Sequence, residues 1–476
     1  MTMEEATAGD RLDVVLFPWL AFGHMIPYLE LAKRLAARGH TVTFLSTPRN
    51  ITRLPPVPAH LSPRVRLVAL PPSTVEGLPE GAESTADVPP EKNELIKKAV
   101  DGLAAPFAAF LADAVSGGRR PDWIVVDFCH NWAPAIGGEH GVPCATFQIV
   151  PASFIAFFGS RSANAAHPRT SPEDFTVLPE WCAPSFPPGI TYRRHEAEWW
   201  FATSKPNASG VSDMERMWEM MESTRFAIYR SDDEVEPAGA GVFSLLSDLF
   251  QKPAIPAGIL LQPELDSHHE DDDSARPEVL QWLDKQPSKS VIYVALGSEA
   301  PLTAKNLQEL AWGLELAGGL IARTMAERRV GVEVARDDGD GSFGRDDVAA
   351  AVRRVMVEEE GKVFASNAER MKRVLGDQRR QDQYMEELEG YLIRYKDTNT
   401  PIVPNGISTR FNFDQQFTSG FIGEQRRGEE GCGGGGRRGG RRRRGKKDRK
   451  FDKSKVRCYN CRGYGHFASE CQKPKK

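Results

Sequence analysis

The chain has 476 residues, of which 40% are hydrophobic and 26% charged, with a formal net charge of −4. At roughly 100–200 residues per domain, this allows about two to four domains with a sizeable core and excludes uniform disorder. No stretch approaches the roughly 18 uninterrupted apolar residues of a spanning helix, so no membrane partner is expected.

The mild charge averages two unlike parts. Residues 421–476 hold 19 Lys and Arg against 6 Asp and Glu, a balance of +13. The other 42 basic and 59 acidic residues give residues 1–420 a balance of −17. An acidic body with a basic tail points the tail at a polyanion. Cysteine divides the same way: Cys129, Cys144 and Cys182 are scattered through the body, while Cys432, Cys458, Cys461 and Cys471 crowd the tail. Sparse body cysteines and an acidic N-terminus without a secretory pattern make a reducing, cytoplasmic location the expectation. The basic tail is also compatible with a nuclear one.

In chain order, DVVLF at 13–17 reads as a strand buried on both faces, followed by a PWLAFGH loop and a helix over 25–38 stopped by Gly39. TVTFLS and 64–70 read as strands, 93–116 as one helix, and WIVVD at 123–127 and CATFQIV at 144–150 as further strands. The pattern is α/β, a doubly wound and mostly parallel sheet, whose ligands sit beyond the carboxyl ends of the strands. His24 and Asp127 are expected at such ends. Residues 160–290 are less regular, with an acidic run from Glu270 to Asp273. SVIYVALGS at 290–298 restarts the α/β pattern, a helix is expected at 303–317 and a strand at 330–335, and helices at about 345–359, 362–375 and 379–395 follow. Two strands are too few for a self-sufficient second sheet. The Arg/Gly/Lys-rich segment 426–450 is expected to be disordered.

The body resembles the two-domain UDP-dependent glycosyltransferases of plants, in the branch holding rhamnosyltransferase-like enzymes that decorate flavonoid and terpenoid glycosides. The matching text is FPWLAFGHMIPYLELAKRLAARGHTVTFLST, WIVVDFCHNWAP, HGVPCATF and SVIYVALGSEAPLTAKNLQELAWGLELAG. The resemblance implies an N-terminal acceptor-binding domain over 10–250, a linker over 251–289 and a donor-binding domain over 290–397. It makes His24 the catalytic base and Asp127 its partner, places Ser298 and Glu299 at the donor diphosphate and sugar, and implies a UDP-sugar donor and inversion. A histidine suits proton abstraction near neutral pH, and a carboxylate on its other nitrogen fixes the tautomer. His130, three residues after Asp127, is the competitor for that role and carries no matching motif. The acceptor pocket is expected from this domain and residues 150–200, with Trp199, Trp200 and Phe201 as pocket or core residues.

The family's C-terminal donor box is not found. The Trp that stacks on uracil, the His-Cys-Gly-Trp-Asn-Ser stretch and the closing acidic-Gln pair have no counterpart. GLELAG ends at Gly318, and GLIARTMAERR from Gly319 is similar to family text that follows the box. About a hundred residues, a small domain's length, are expected to be missing there. The second domain is therefore truncated and transfer is expected to be weak or absent.

In the tail, Cys458, Cys461, His466 and Cys471 form C-x₂-C-x₄-H-x₄-C. Three thiolates and an imidazole complete a closed tetrahedral set for structural Zn²⁺, whose binding supplies the folding energy of so short a segment. Residues 456–473 resemble the CCHC zinc knuckle of retroviral and Copia-type retrotransposon Gag proteins, preceded by a disordered basic linker over 398–455. That resemblance implies single-stranded RNA or DNA as partner. Tyr459 and Phe467 are candidates for stacking on bases (Tyr459 also for packing over the zinc), and Arg441, Arg442, Arg443 and Arg444 for phosphate contacts. Three readings follow: a monomeric UDP-sugar glycosyltransferase with an added knuckle, a zinc-dependent nucleic-acid binder on a non-catalytic body, and a chimeric gene product whose parts do not cooperate.

Overall fold

The computed structural model describes residues 11–261 apart from 183–185, 187–190 and 238, then 278–286, and 325–397 apart from 338 and 340. Seven parallel strands form one sheet in the order β3-β2-β1-β4-β5-β6-β7. They are β1 Asp13–Phe17, β2 Thr41–Ser46, β3 Val65–Ala69, β4 Trp123–Val126, β5 Cys144–Gln148, β6 Ala227–Tyr229 and β7 Ala254–Pro256. The order reverses between β1 and β4, which pair directly with Leu16 opposite Val125. That is the switch point of a doubly wound sheet, where the crossovers diverge and leave a crevice beyond the strand ends.

Alternation along β1 covers both faces. Val14 and Leu16 join one core with α1 (Phe22–Ala37), through Met25, Leu29 and Ala32. Val15 and Phe17 join another with Ile96, Phe107 and Leu111 from the opposite side. A third cluster, rich in Phe and Met, gathers under residues 152–250.

The remaining helices are α2 Pro48–Arg53, α3 Asn93–Asp101, α4 Ala104–Ser116, α5 Ala133–Glu139, α6 Ala152–Phe158, α7 Arg161–Ala166, α8 Arg194–Ala202, α9 Asp213–Ser223, α10 Val242–Phe250, α11 Glu278–Asp284, α12 Arg345–Met356, α13 Glu360–Leu375 and α14 Gln378–Arg394. Residues 90–116 are long and apolar enough to span a membrane by composition alone. Here Ile96, Val100, Phe107 and Leu111 bury against the sheet.

Four expectations change. The helix expected over 93–116 is two helices, because Pro106 has no N–H for the Gly102 carbonyl, which accepts from Ser73 Oγ at 3.1 Å instead. The first helix starts at Phe22, not Met25; its N-cap is Ala21, without a capping side chain, so no sequence signal marks the start. His24 therefore stands in the first turn of α1, not in a loop or at a strand end. Residues 330–335 form no strand, since they find no backbone ladder among the described residues. The first sheet also runs past residue 250: β7 and Ala257 lie in the segment expected to be linker. The strand at 290–298, the helix at 303–317, Ser298 and Glu299 lie outside the described residues.

The last helix returns to the first sheet. Met385, Leu388 and Leu392 of α14 are buried in the core formed with α1, and the Trp123 indole donates to the Leu392 carbonyl at 2.8 Å.

Candidate active site and zinc knuckle

At the switch point the chain leaves β1 through Trp19 and enters α1, and leaves β4 directly at Asp127. His24 Nδ1 and Asp127 Oδ2 are 2.7 Å apart. The carboxylate is buried, whereas the imidazole side chain keeps 18% of its surface exposed. Burial pushes the Asp127 carboxyl up. His24 and the backbone N–H groups of Trp19 (3.1 Å) and Phe128 (2.8 Å) outweigh that and hold it below the usual carboxylate range.

A cavity of about 360 Å³ opens on this pair. Trp19, Phe128, Phe154, Phe158, Trp199 and Trp200 give it an aromatic lining. Polar groups are few: Thr85, Asn93, Gln148, Thr203 and a close ion pair, Lys97 Nζ to Asp213 Oδ2 at 2.5 Å. Mostly apolar walls with a few convergent polar groups are the character of a small-molecule site. Trp199 is 63% exposed at its edge and stacks edge-on against Trp200, with ring centroids 4.3 Å apart. Phe201 is not part of the lining; it packs against the Phe- and Met-rich core under Lys205.

His130 is set apart from the cavity. It is fully buried, its ring 4.2 Å from that of Phe17, and neither ring nitrogen has a hydrogen-bond partner. Burial lowers its pKa to about 4, so it is neutral at physiological pH. Asn93, Lys97, Gln148 and Asp213 escaped the sequence reading because they come from separate segments and belong to no motif. The three body cysteines are buried and unpaired, and burial pushes Cys144 and Cys182 up to about 12. The knuckle ligands Cys458, Cys461, His466 and Cys471, with Tyr459, Phe467 and Arg441–Arg444, lie outside the described residues.

UDP-glycosyltransferase 91C1 of Arabidopsis thaliana is 32% identical over 455 residues, covering 80% of this chain and 96% of that protein. The chain belongs to the UDP-glycosyltransferase family. Within it, soyasaponin III rhamnosyltransferase of Glycine max is 30% identical over 471 residues, covering 81% of the chain and 96% of that relative. Among solved structures of glycosyltransferases, a UDP-glucosyltransferase from Polygonum tinctorium superimposes with a TM-score of 0.60 at 19% identity, covering 81% of this chain and 99% of its own. The parallel-sheet glycosyltransferase fold expected from the sequence is therefore the fold of this family member. Residues 456–473 match the CCHC zinc knuckle family, a nucleic-acid-binding motif.

Proposed function

We propose that the cavity binds a small hydroxyl-bearing acceptor and that His24 and Asp127 are its general base and base-orienting carboxylate. The 2.7 Å contact between them at the switch-point cavity carries this reading. An ionised Asp127 only accepts, so the imidazole proton sits on Nδ1 and the Nε2 lone pair is free. Nε2 takes the acceptor's hydroxyl proton as its oxygen bonds to the anomeric carbon. The bond to the UDP oxygen breaks with its electron pair, and configuration inverts. Asp127 stabilises the imidazolium as it forms.

The donor side is where this chain departs from its family. Ser298 and Glu299 would face the diphosphate and sugar, and we read the family's signature box as lost at the junction of Gly318 and Gly319, where GLELAG runs directly into GLIARTMAERR. Without preorganised groups on uracil and diphosphate, little binding energy remains to place the anomeric carbon. Acceptor binding is expected to survive and sugar transfer to be at or near background. The test offers the purified full chain UDP-glucose and UDP-rhamnose with a flavonol, following product and tryptophan quenching separately. Robust transfer overturns the donor-loss reading; absence of quenching overturns the pocket reading.

The zinc-knuckle match favours a second activity in the tail. Three thiolates and one imidazole suit structural Zn²⁺, held by Cys458, Cys461, Cys471 and His466. Tyr459 and Phe467 would stack on unpaired bases and Arg441–Arg444 would neutralise phosphates. Binding of a single-stranded oligonucleotide should weaken with salt and disappear on chelation or with Cys458→Ser. Binding indifferent to both would defeat this reading.

A further inference from the structure

The loop that follows Asp127 is also held by contacts other than His24. Arg216 on α9 is 1% exposed, and its guanidinium bonds both carboxylate oxygens of Asp101 at 2.7 Å. The same fork donates to the Cys129 carbonyl at 3.3 Å, Asn131 Oδ1 at 2.9 Å and Ser209 Oγ at 2.7 Å. Asn131 then donates through Nδ2 to Glu219 Oε2, also on α9, at 2.6 Å. One turn back along both helices lies a second rung with the charges exchanged: Lys97 of α3 meets Asp213 of α9, and both line the cavity.

A buried ion pair alone is weak ground for such a costly charge, since apolar residues of similar volume often replace one without loss. Apolar residues could not supply the donors that Cys129 and Asn131 receive. These two lie just beyond Asp127 in the chain, so their tether limits where its carboxylate sits.

We propose that Arg216 is a positioning residue for the His24–Asp127 pair, fixing the 127–131 loop against α3 and α9 so that Asp127 stays within hydrogen-bond reach of His24. It touches neither acceptor nor donor. This rests on the base–carboxylate reading of the pair given above.

The test needs no turnover. In the full chain labelled with ¹⁵N-histidine, the His24 Nδ1–H bonded to Asp127 should give a downfield proton resonance, assigned by its loss in His24→Ala. Arg216→Gln should lose or broaden it with far-UV circular dichroism unchanged, and Arg216→Lys should recover part of it. Where Arg216→Gln does not fold, Asn131→Ala must weaken the same resonance. Exchanging the pair, Asp101→Arg with Arg216→Asp, restores the interhelical charges without a donor at position 216, so the resonance should stay lost. An unchanged resonance in folded Arg216→Gln, in Asn131→Ala, or on charge exchange would overturn the positioning role. A wild-type chain with no resonance sensitive to His24→Ala would overturn the reading of the pair itself.

Discussion

Residues 11–261 and residues 325–397 meet the demands of folding in opposite ways. The first region supplies all seven parallel strands of its sheet, with its own helices on both faces. The second contributes helices and irregular chain among its described residues, and its last helix borrows a core. Leu388 and Leu392 fill space between α14 and the first sheet, and Arg380 bonds Asp232, which is 0% exposed, through two contacts of 2.7 and 3.1 Å. Arg328 donates to the carbonyls of Asp233 and Glu236 in the same turn. The late segment is thus structural material of the early one, whatever the state of the donor side.

The largest test of that dependence is to remove it. Deleting residues from 378 onward should leave the first sheet unable to fold cooperatively, because the face beside Trp123 and α1 would be uncovered. Leu388→Ala is the graded form: a cavity in that seam should cost about 2–5 kcal/mol in denaturant unfolding. A loss below about 1 kcal/mol would mean the early region stands alone.

Acid comes next, and the two groups concerned, His130 and Asp127, lie in the early region. His130 has a folded pKa of about 4 against an ordinary 6.5. Between those values the unfolded chain binds a proton that the folded chain refuses, so stability falls as pH drops from about 6.5 to about 4. The loss should approach about 3 kcal/mol, and His130→Phe should flatten that part of the profile. Asp127 adds a lower window. Its depressed pKa stabilises the fold above the unfolded value and that contribution is lost on further acidification. Urea midpoints from pH 7 to 3 check both, and a flat profile in the unmodified chain would refute them.

Asp232→Asn should cost less, about 1–2 kcal/mol, because it weakens one charged contact while Arg380 keeps some access to water. Co-purified acceptor or salt should not restore it. The smallest expected change is Trp199→Ala: within about 0.5 kcal/mol in stability for so exposed a ring, yet a clear loss of flavonol quenching. Unchanged quenching would remove that edge from the acceptor site.

How much was legible varies with the range of the interactions. DVVLF and WIVV were readable as strands because continuous apolar runs are what burial on two faces requires. β6 and β7 were not, since AIY and AIP are too short to display a period. Residues 330–335 carry strand-like text but form no strand, because ladder bonding needs a neighbour that local sequence cannot supply. The start of α1 was missed for want of a capping side chain. The roles of His24 and Asp127 came from family text, whereas Lys97 and Asp213 belonged to no motif.

The sequence by itself determined the α/β body, the charge division of −17 against +13, and the ligand spacing of the knuckle. Each depends on residues near one another in the chain, or on composition. The tertiary structure alone decided that Lys97 meets Asp213 across 116 residues and that Trp123 meets Leu392 across 269, and it gave the expected His24–Asp127 partnership, 103 residues apart, its 2.7 Å geometry. Those contacts follow from the reversal of strand order and from the docking of α14. Chain proximity encodes neither, because both are properties of the packed sheet.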